Sequence, residues 1–331
     1  MVAIRADTLP RAPSRLVVPL LLTGCVVFLL VGSLRSALFA QLTVSGLANG
    51  GIYASLAVAL VLIYRATQVV NFAQGAMATF TTYVAWQLQS WGLGYWGAFV
   101  LTLGIAFAGG VLVEVVAIRP VERRGSVLSV VIASIGVLIL VEGAVGWIWG
   151  SEVRFMPSAF SARSIHVGGV AFSLQDLGTI AVSIAAVVLL WALFRFTKVG
   201  LAMRASALRP EPARLVGVRV SWMLSLGWGL AAVLGAVSGM MAAASPSVLL
   251  QPSMMDGILI YAFAAAVLGG LESPAGAVVG GLAIGALLNL LGSYVSWVTP
   301  QLLLPAAFVL MLVVLLVKPS GLFGRSQVRR V

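Results

Sequence analysis

The stretch GLANGGIYASLAVALVLIYRATQVVNFAQGAMATFTTYVAWQL (residues 46–88) decides the architecture. An apolar run that begins near residue 41 ends at Tyr64. Arg65 follows, then a short polar turn carrying Asn71 and Gln74, and a second apolar run over 73–90. About 20 apolar residues cover the roughly 30 Å of bilayer hydrocarbon as a helix. The unit is therefore two membrane helices joined by a tight turn with one basic residue at its edge. The same grammar repeats outward in both directions. Apolar segments fall at 16–32, 41–64, 73–90, 96–118, 127–150, 176–196, 220–244, 256–269, 275–295 and 301–317. The chain is 61% apolar and 9% charged, whereas soluble domains are about a quarter charged. The expected fold is an all-α polytopic membrane protein of about ten segments, one domain over 1–331.

A net charge of +11 would suit a nucleic-acid binder, but the placement of the basic residues assigns them another role. With the N-terminus inside, the cytoplasmic positions hold Arg5, Arg11, Arg15, Arg65, Arg119, Arg123, Arg124, Arg195, Lys198, Arg204, Arg209, Arg214, Arg219, Lys318, Arg325, Arg329 and Arg330. Only Arg35, Arg154 and Arg163 fall outside. Basic residues mark cytoplasmic loops, so both termini are expected in the cytoplasm, as basic tails over 1–15 and 318–331. Membrane lipid is the implied partner, and no nucleic acid is expected. The run Leu16–Val31 behind three arginines could be a signal peptide, and Leu22-Thr23-Gly24-Cys25 looks like a lipoprotein cleavage box. The residues after Cys25 stay apolar, so a retained first helix is expected.

Two loops are long: 151–175 outside and 197–219 inside. The eighth segment is short. Its 13 residues from Asp256 to Leu268 reach about 20 Å, less than the hydrocarbon thickness. Gly269-Gly270 and Pro274 follow it. A half-helix or re-entrant element and a tilted span through thinned bilayer are both open.

The cytoplasmic stretch GLAMRASALRPEPARLVGVR (200–219) is the strongest candidate site. From Glu211, residues Ala213, Leu215, Val216 and Val218 form a small apolar face flanked by Arg209, Arg214 and Arg219. Such a helix either fits a groove on a soluble partner or rests on anionic headgroups. Asn71 and Gln74, close to the hydrocarbon boundary, either line a substrate path or cap the third segment. Asn49 and Glu142 are further path candidates. Glu142 lies about a third of the way in from the outer face of the fifth segment, where it faces a water-filled path, snorkels, or bonds Trp147 or Ser151. Glu114 is expected to pair with Arg119 or Arg123. The pairs Gly276/Gly280 and Gly281/Gly285, with Gly46, Gly50 and Gly51, predict close helix packing that could include a subunit seam.

Enzyme and metal chemistry have little to stand on. Cys25 and His166 are the only cysteine and histidine, too few for an ordinary zinc or iron site. Lys198 and Lys318 are preceded by Thr197 and Val317, so no Walker loop exists. No HExxH or GxSxG is present. No catalytic residue, metal or cofactor is expected in this chain.

These stretches resemble the permease subunits of branched-chain amino-acid ABC importers. Residues 46–64 and VVNFAQGAMATFTTYVA (69–85) match the family's opening signature, and VEVVAIRP (113–120) its next cytoplasmic turn. GLAMRASALRPEPARLVGV (200–218) looks like its ATPase-facing loop. AFAAAVLGGLESPAGAVVGGLAIGAL (262–287) and KPSGLFGR (318–325) look like its C-terminal signatures. The resemblance implies a type II-like importer fold in the cell inner membrane, with a second homologous permease beside this one. Two ATP-binding subunits would carry ATP and Mg, and a periplasmic binding protein would deliver the cargo. It assigns Asn71 and Gly75 to the signature after the second span, and Arg204, Ala205, Ala213 and Gly217 to ATPase coupling. The chain departs at Gln74, where the family commonly has His, and at 209–212 (RPEP), where acidic residues are usual. Urea or short amides are alternative cargoes within the family. A secondary transporter or channel would need titrating groups at the midplane, which are scarce. An intramembrane enzyme would need a nucleophile and base.

Overall fold

The computed structural model describes residues 23–324 apart from 25, 26, 30, 34, 35, 162, 168, 169, 246 and 247. The tail 1–15, most of the segment 16–32 with Cys25, and residues 325–331 lie outside the described residues. The chain runs α1 (Ala37–Thr67), α2 (Gln74–Ser90) and α3 (Tyr95–Val113), which passes through a π-helical turn (Glu114–Ile118) into α4 (Arg119–Arg124). Then come α5 (Val127–Trp149), a hairpin of β1 (Ser164–Val167) and β2 (Val170–Ser173), and α6 (Leu174–Phe196). The stretch 197–219 forms α7 (Lys198–Leu208) and α8 (Pro210–Leu215). Last are α9 (Val220–Ala243), α10 (Asp256–Gly269), α11 (Pro274–Tyr294), a 3-10 turn (Pro300–Leu302) and α12 (Leu303–Val317).

Helix starts follow the sequence chemistry. Ser36, Ser173, Thr197 and Ser273 each accept a backbone N–H of the first turn of α1, α6, α7 and α11. Nine of the expected segments are helices. Among the described residues, six helical stretches are long and apolar enough to cross a membrane: Ala37–Thr67, Tyr95–Arg123, Val127–Trp149, Leu174–Phe196, Val220–Ala243 and Pro274–Tyr294. α10 and α12 are apolar but shorter. α2 has only 17 residues and carries Gln74, Thr79, Thr81 and Thr82 in its buried face. The loop 151–175 departs from the all-α expectation. Its antiparallel hairpin pairs Ser164 with Ser173 and Val167 with Val170.

α1 is the central helix, packed by α9, α10 and α11 and by α6. Its apolar window is 78% buried at a mean hydropathy of 1.8; those of α5 and α6 are 17% buried at 2.4. The outside is more apolar than the inside, as expected where lipid replaces water as solvent. Small residues let the central helices touch. A Cβ on Gly285 would lie 2.3 Å from the Gly50 nitrogen, and one on Gly50 would lie 2.8 Å from Leu282 Cα. The other pair on α11 faces α10: a Cβ on Gly276 or Gly280 would meet the Gly269 or Ala265 carbonyl at 2.2 or 2.3 Å. These stripes therefore pack within one chain rather than forming a subunit seam.

The short α10 has a sheltered end. Its carbonyls at Leu268 and Gly269 accept the N–H groups of Leu322 (2.8 Å) and Phe323 (3.0 Å). Lys318 Nζ donates to the Leu322 carbonyl at 2.6 Å and holds that turn. The C-terminal KPSGLFG segment is thus a backbone cap, which satisfies helix-end carbonyls that would otherwise need water.

Candidate coupling site

The site is built on the corner after α6. Thr197 caps α7 by accepting Gly200 N–H at 3.0 Å. Gly200 is packed so tightly on α6 that a Cβ would lie 2.3 Å from the Leu193 carbonyl. Met203 is buried beneath α7. Pro210 and Pro212 open α8 at positions where a missing N–H costs nothing. The helix closes on Gly217 at φ +85. Gly217 N–H donates to the Arg214 carbonyl at 3.0 Å, and Val218 N–H to the Ala213 carbonyl at 3.0 Å. This paired closure needs a left-handed residue at Gly217.

The expected single apolar face is divided. Ala213 is buried against the body, while Leu215 and Val216 are 89% and 80% exposed. The reason is length: α8 has six residues, and its cap turns the chain before 216–218 can continue a helical stripe. Leu208 is also exposed at the end of α7, a position the sequence reading missed. Leu208, Leu215 and Val216 are thus large apolar side chains standing out from the most basic loop. Arg204 and Ala205 are half-buried at its root, and Gly217 shapes the turn. Arg214 and Glu211 form an exposed pair at 2.9 Å.

Below this loop lies a buried polar clasp. Glu114, 1% exposed, accepts two hydrogen bonds from Arg119, Nε at 2.9 Å and Nη2 at 2.6 Å. Arg119 Nη2 also reaches the Ser221 carbonyl at 3.3 Å and the Ser225 hydroxyl. Ser225 Oγ donates to Glu114 Oε2 at 2.8 Å. The π-helical turn at 114–118 puts both partners on the side facing α9. The Glu114–Arg119 pairing was legible in the sequence. The part of α9 was not: Ser225 joins by its hydroxyl, and Ser221 only by its backbone carbonyl, which leaves no mark in the sequence.

Of the path candidates, the structure joins Asn71 and Gln74. Asn71 Oδ1 accepts Ala73 N–H at 3.1 Å and Nδ2 donates to Gln74 Oε1 at 3.2 Å. Gln74 Nε2 donates across to the Ala231 carbonyl of α9 at 2.9 Å. Both side chains are fully buried, so the pair starts α2 and ties it to α9. Asn49 is half-buried on α1, and its side chain makes no hydrogen bond among the described residues. Glu142 is half-buried on α5 and interacts electrostatically with Asp256 at the start of α10, not with Trp147 or Ser151.

Residues 42–317 match the family model described as branched-chain amino acid transport system / permease component. The chain is 31% identical over 310 residues to the high-affinity branched-chain amino acid transport system permease protein LivH of Salmonella typhimurium, covering 88% of this chain and 98% of the relative. It is 29% identical over 306 residues to the permease protein BraD of Pseudomonas aeruginosa, at the same coverage. A probable branched-chain amino acid transport permease of Methanocaldococcus jannaschii is 30% identical over 283 residues, 81% of this chain and 87% of the relative. Among solved structures, PsaBC from Streptococcus pneumoniae in complex with Fab overlaps 89% of this chain and 97% of that one, with 13% identity and a TM-score of 0.47.

Proposed function

The chain belongs to the branched-chain amino acid transport system permease component family, and we propose that it is the inner-membrane subunit through which an ATP-driven importer passes branched-chain or related amino acids. It forms one transmembrane permease domain of about ten segments, with both termini in the cytoplasm, as the distribution of basic residues supports. A second homologous permease packs beside it, two ATPase subunits with ATP and Mg sit below, and a periplasmic binding protein delivers cargo from above. Recognition rests largely with that binding protein. Asn49 and Glu142 then contribute polar groups to the path, and the Asn71–Gln74 pair holds its wall in place. The chain itself supplies no catalytic group.

One observation carries the coupling mechanism: the exposed apolar tip Leu208, Leu215 and Val216 on a loop rooted in two membrane helices. An apolar tip of this kind fits a groove on a soluble partner, here the ATPase. Arg204, Ala205, Ala213 and Gly217 hold it in shape. When ATP closes the ATPases, the tip is displaced. Its root continues into α9, whose first turn the Arg119 clasp grips and whose Ala231 carbonyl holds Gln74 of α2. Displacement at the tip is thereby passed to three helices together, α9, α2 and α3. It moves the path between states only because the ATPase contacts the two states differently.

The test is purification of the intact complex carrying Leu215→Asp and Val216→Asp. Wild-type yield of the permease, with loss of ATPase co-purification and of uptake, is the expected result. Unchanged ATPase retention and uptake would reject the loop as the docking site.

A further inference from the structure

We propose that a cleft between α1, α6, α7 and α9 holds the phosphate head of an anionic phospholipid of the cytoplasmic leaflet, gripped by Arg65 and Arg204. The leaflet assignment rests on the orientation proposed above. The cleft encloses about 40 Å³ and is walled by Leu62, Phe194, Met203 and Leu224, with the two arginines at its edge. Arg65 stands in the last turn of α1 and Arg204 in the middle of α7, and their charges repel across the cleft.

Neither cation is in an ion pair among the described residues. Among the described residues the ion pairs are Glu114–Arg119 and Glu211–Arg214. Glu272 attracts Arg65 more strongly than Arg204 repels it, but without forming an ion pair. Arg204 Nε is buried and has no acceptor. Buried polar groups in native proteins nearly always have a partner. The unpartnered Arg204 Nε, with a second guanidinium lining the same apolar cleft, calls for an anionic acceptor from outside the chain. A phosphodiester can accept from both in the fork geometry that guanidinium groups favour.

The position favours lipid over a free anion or an ATPase side chain. Arg65, Phe194 and Leu224 lie within two turns of the ends of helices long and apolar enough to cross a membrane, so the cleft sits at headgroup depth. Its walls are apolar, which suits a glycerol and acyl stem and not a hydrated phosphate. Leu201 and Val199 are exposed apolar side chains on the same helix. The tip proposed to meet the ATPase lies further along the loop, at Leu208, Leu215 and Val216.

The test is native mass spectrometry of the full chain in mild detergent, titrated with dioleoyl phosphatidylglycerol or dioleoyl phosphatidylethanolamine. The wild type should retain phosphatidylglycerol about tenfold or more over phosphatidylethanolamine, as two basic side chains at a surface imply. Arg65→Gln with Arg204→Gln, or Arg204→Gln alone if the pair does not accumulate, should remove most of that preference. Arg163→Gln, on the exposed outer loop, should keep it. Equal retention of the two lipids, or an unchanged preference in the variants, overturns the proposal. Displacement by excess inorganic phosphate would overturn the lipid assignment in favour of a free anion. Loss of ATPase co-purification with undiminished lipid preference would overturn it in favour of an ATPase contact. Orientation is read separately with Leu208→Cys in a Cys25→Ser background, using an impermeant maleimide. Labelling restricted to inverted vesicles supports the leaflet assignment, and labelling from the outside overturns it without touching the lipid preference.

Discussion

Gly285, in the middle of the helix bundle, and Gly217, in a loop outside it, use the missing side chain differently. At the crossing of α1 and α11 the backbone is ordinary helix, and what matters is space: a Cβ on Gly285 would press into Gly50. At the foot of the coupling loop nothing lies within 4 Å of a Cβ on Gly217, and what matters is its positive φ. The first glycine holds membrane helices in contact, the second aims an exposed turn. The seam determines whether the protein exists as a packed bundle. On the function proposed above, the loop determines what that bundle is connected to. Mutations at the two places should therefore separate stability from transport.

The largest effect is expected at the seam. Gly285→Leu forces backbones apart in a region with no room, at a cost of about 3 kcal/mol or more. The variant should give little monodisperse protein on size-exclusion chromatography in mild detergent, and whatever uptake remains should fall in step with protein amount. Normal yield with selective loss of uptake would contradict the division between seam and loop. Gly97, also within a membrane helix, provides the control. Nothing lies within 4 Å of a Cβ there, so Gly97→Leu should be tolerated.

The clasp beneath the loop comes next because it ties α9, the helix that leaves the loop, to the end of α3. Glu114→Gln removes the charge that Arg119 is bonded to. Breaking a buried pair costs about 3–5 kcal/mol, and Arg119, 22% exposed, can recover part of it from water, so about 2 kcal/mol is expected. Thermal unfolding followed by light scattering reads the stability. ATPase activity without uptake in the assembled complex reads the coupling. An effect on stability alone would reduce the clasp to a structural tie.

How much of this was legible beforehand follows the same division. The helices, and Glu114 with Arg119, could be read because apolar runs and lone intramembrane charges are local signals. The glycine stripes were visible, but not their partners. Gly276 and Gly281 differ by five positions on one helix and pack on different neighbours, which depends on three-dimensional placement. The loop was found by its charges, yet its apolar face was drawn too long. A helix stripe was extended through Gly217, whose positive φ ends it. Gln74 carried no local hint that its amide reaches Ala231, 157 residues away. The capping of α10 by Leu322 and Phe323 was equally hidden, since backbone donors leave no mark in composition.

Gly217→Ala isolates the loop from the seam. The new methyl meets nothing, so the cost is the left-handed backbone alone, about 1–2 kcal/mol concentrated in the turn. Bundle yield and melting should stay near wild type while uptake falls, because Leu215 and Val216 lose their fixed aim. Gly217→Asn should recover most of the uptake, since asparagine tolerates this conformation better than alanine does. Equal uptake in the alanine and asparagine variants would remove backbone conformation as the determinant.

The smallest effect expected is at the Glu211–Arg214 pair on the same turn. Both side chains are mostly in water, and exposed pairs at this spacing contribute at most about 0.5 kcal/mol. Glu211→Ala and Arg214→Ala, singly and together, should leave melting and uptake near wild type. A large uptake defect in Arg214→Ala with unchanged melting would mean that the ATPase reads charge on this turn as well as its apolar tip. The contrast with Leu215→Asp would then show which of the two the docking surface depends on more. If charge dominated, the exposed leucine and valine would be lipid-facing, and the comparison between seam and loop would have to be redrawn as one between protein and membrane contacts.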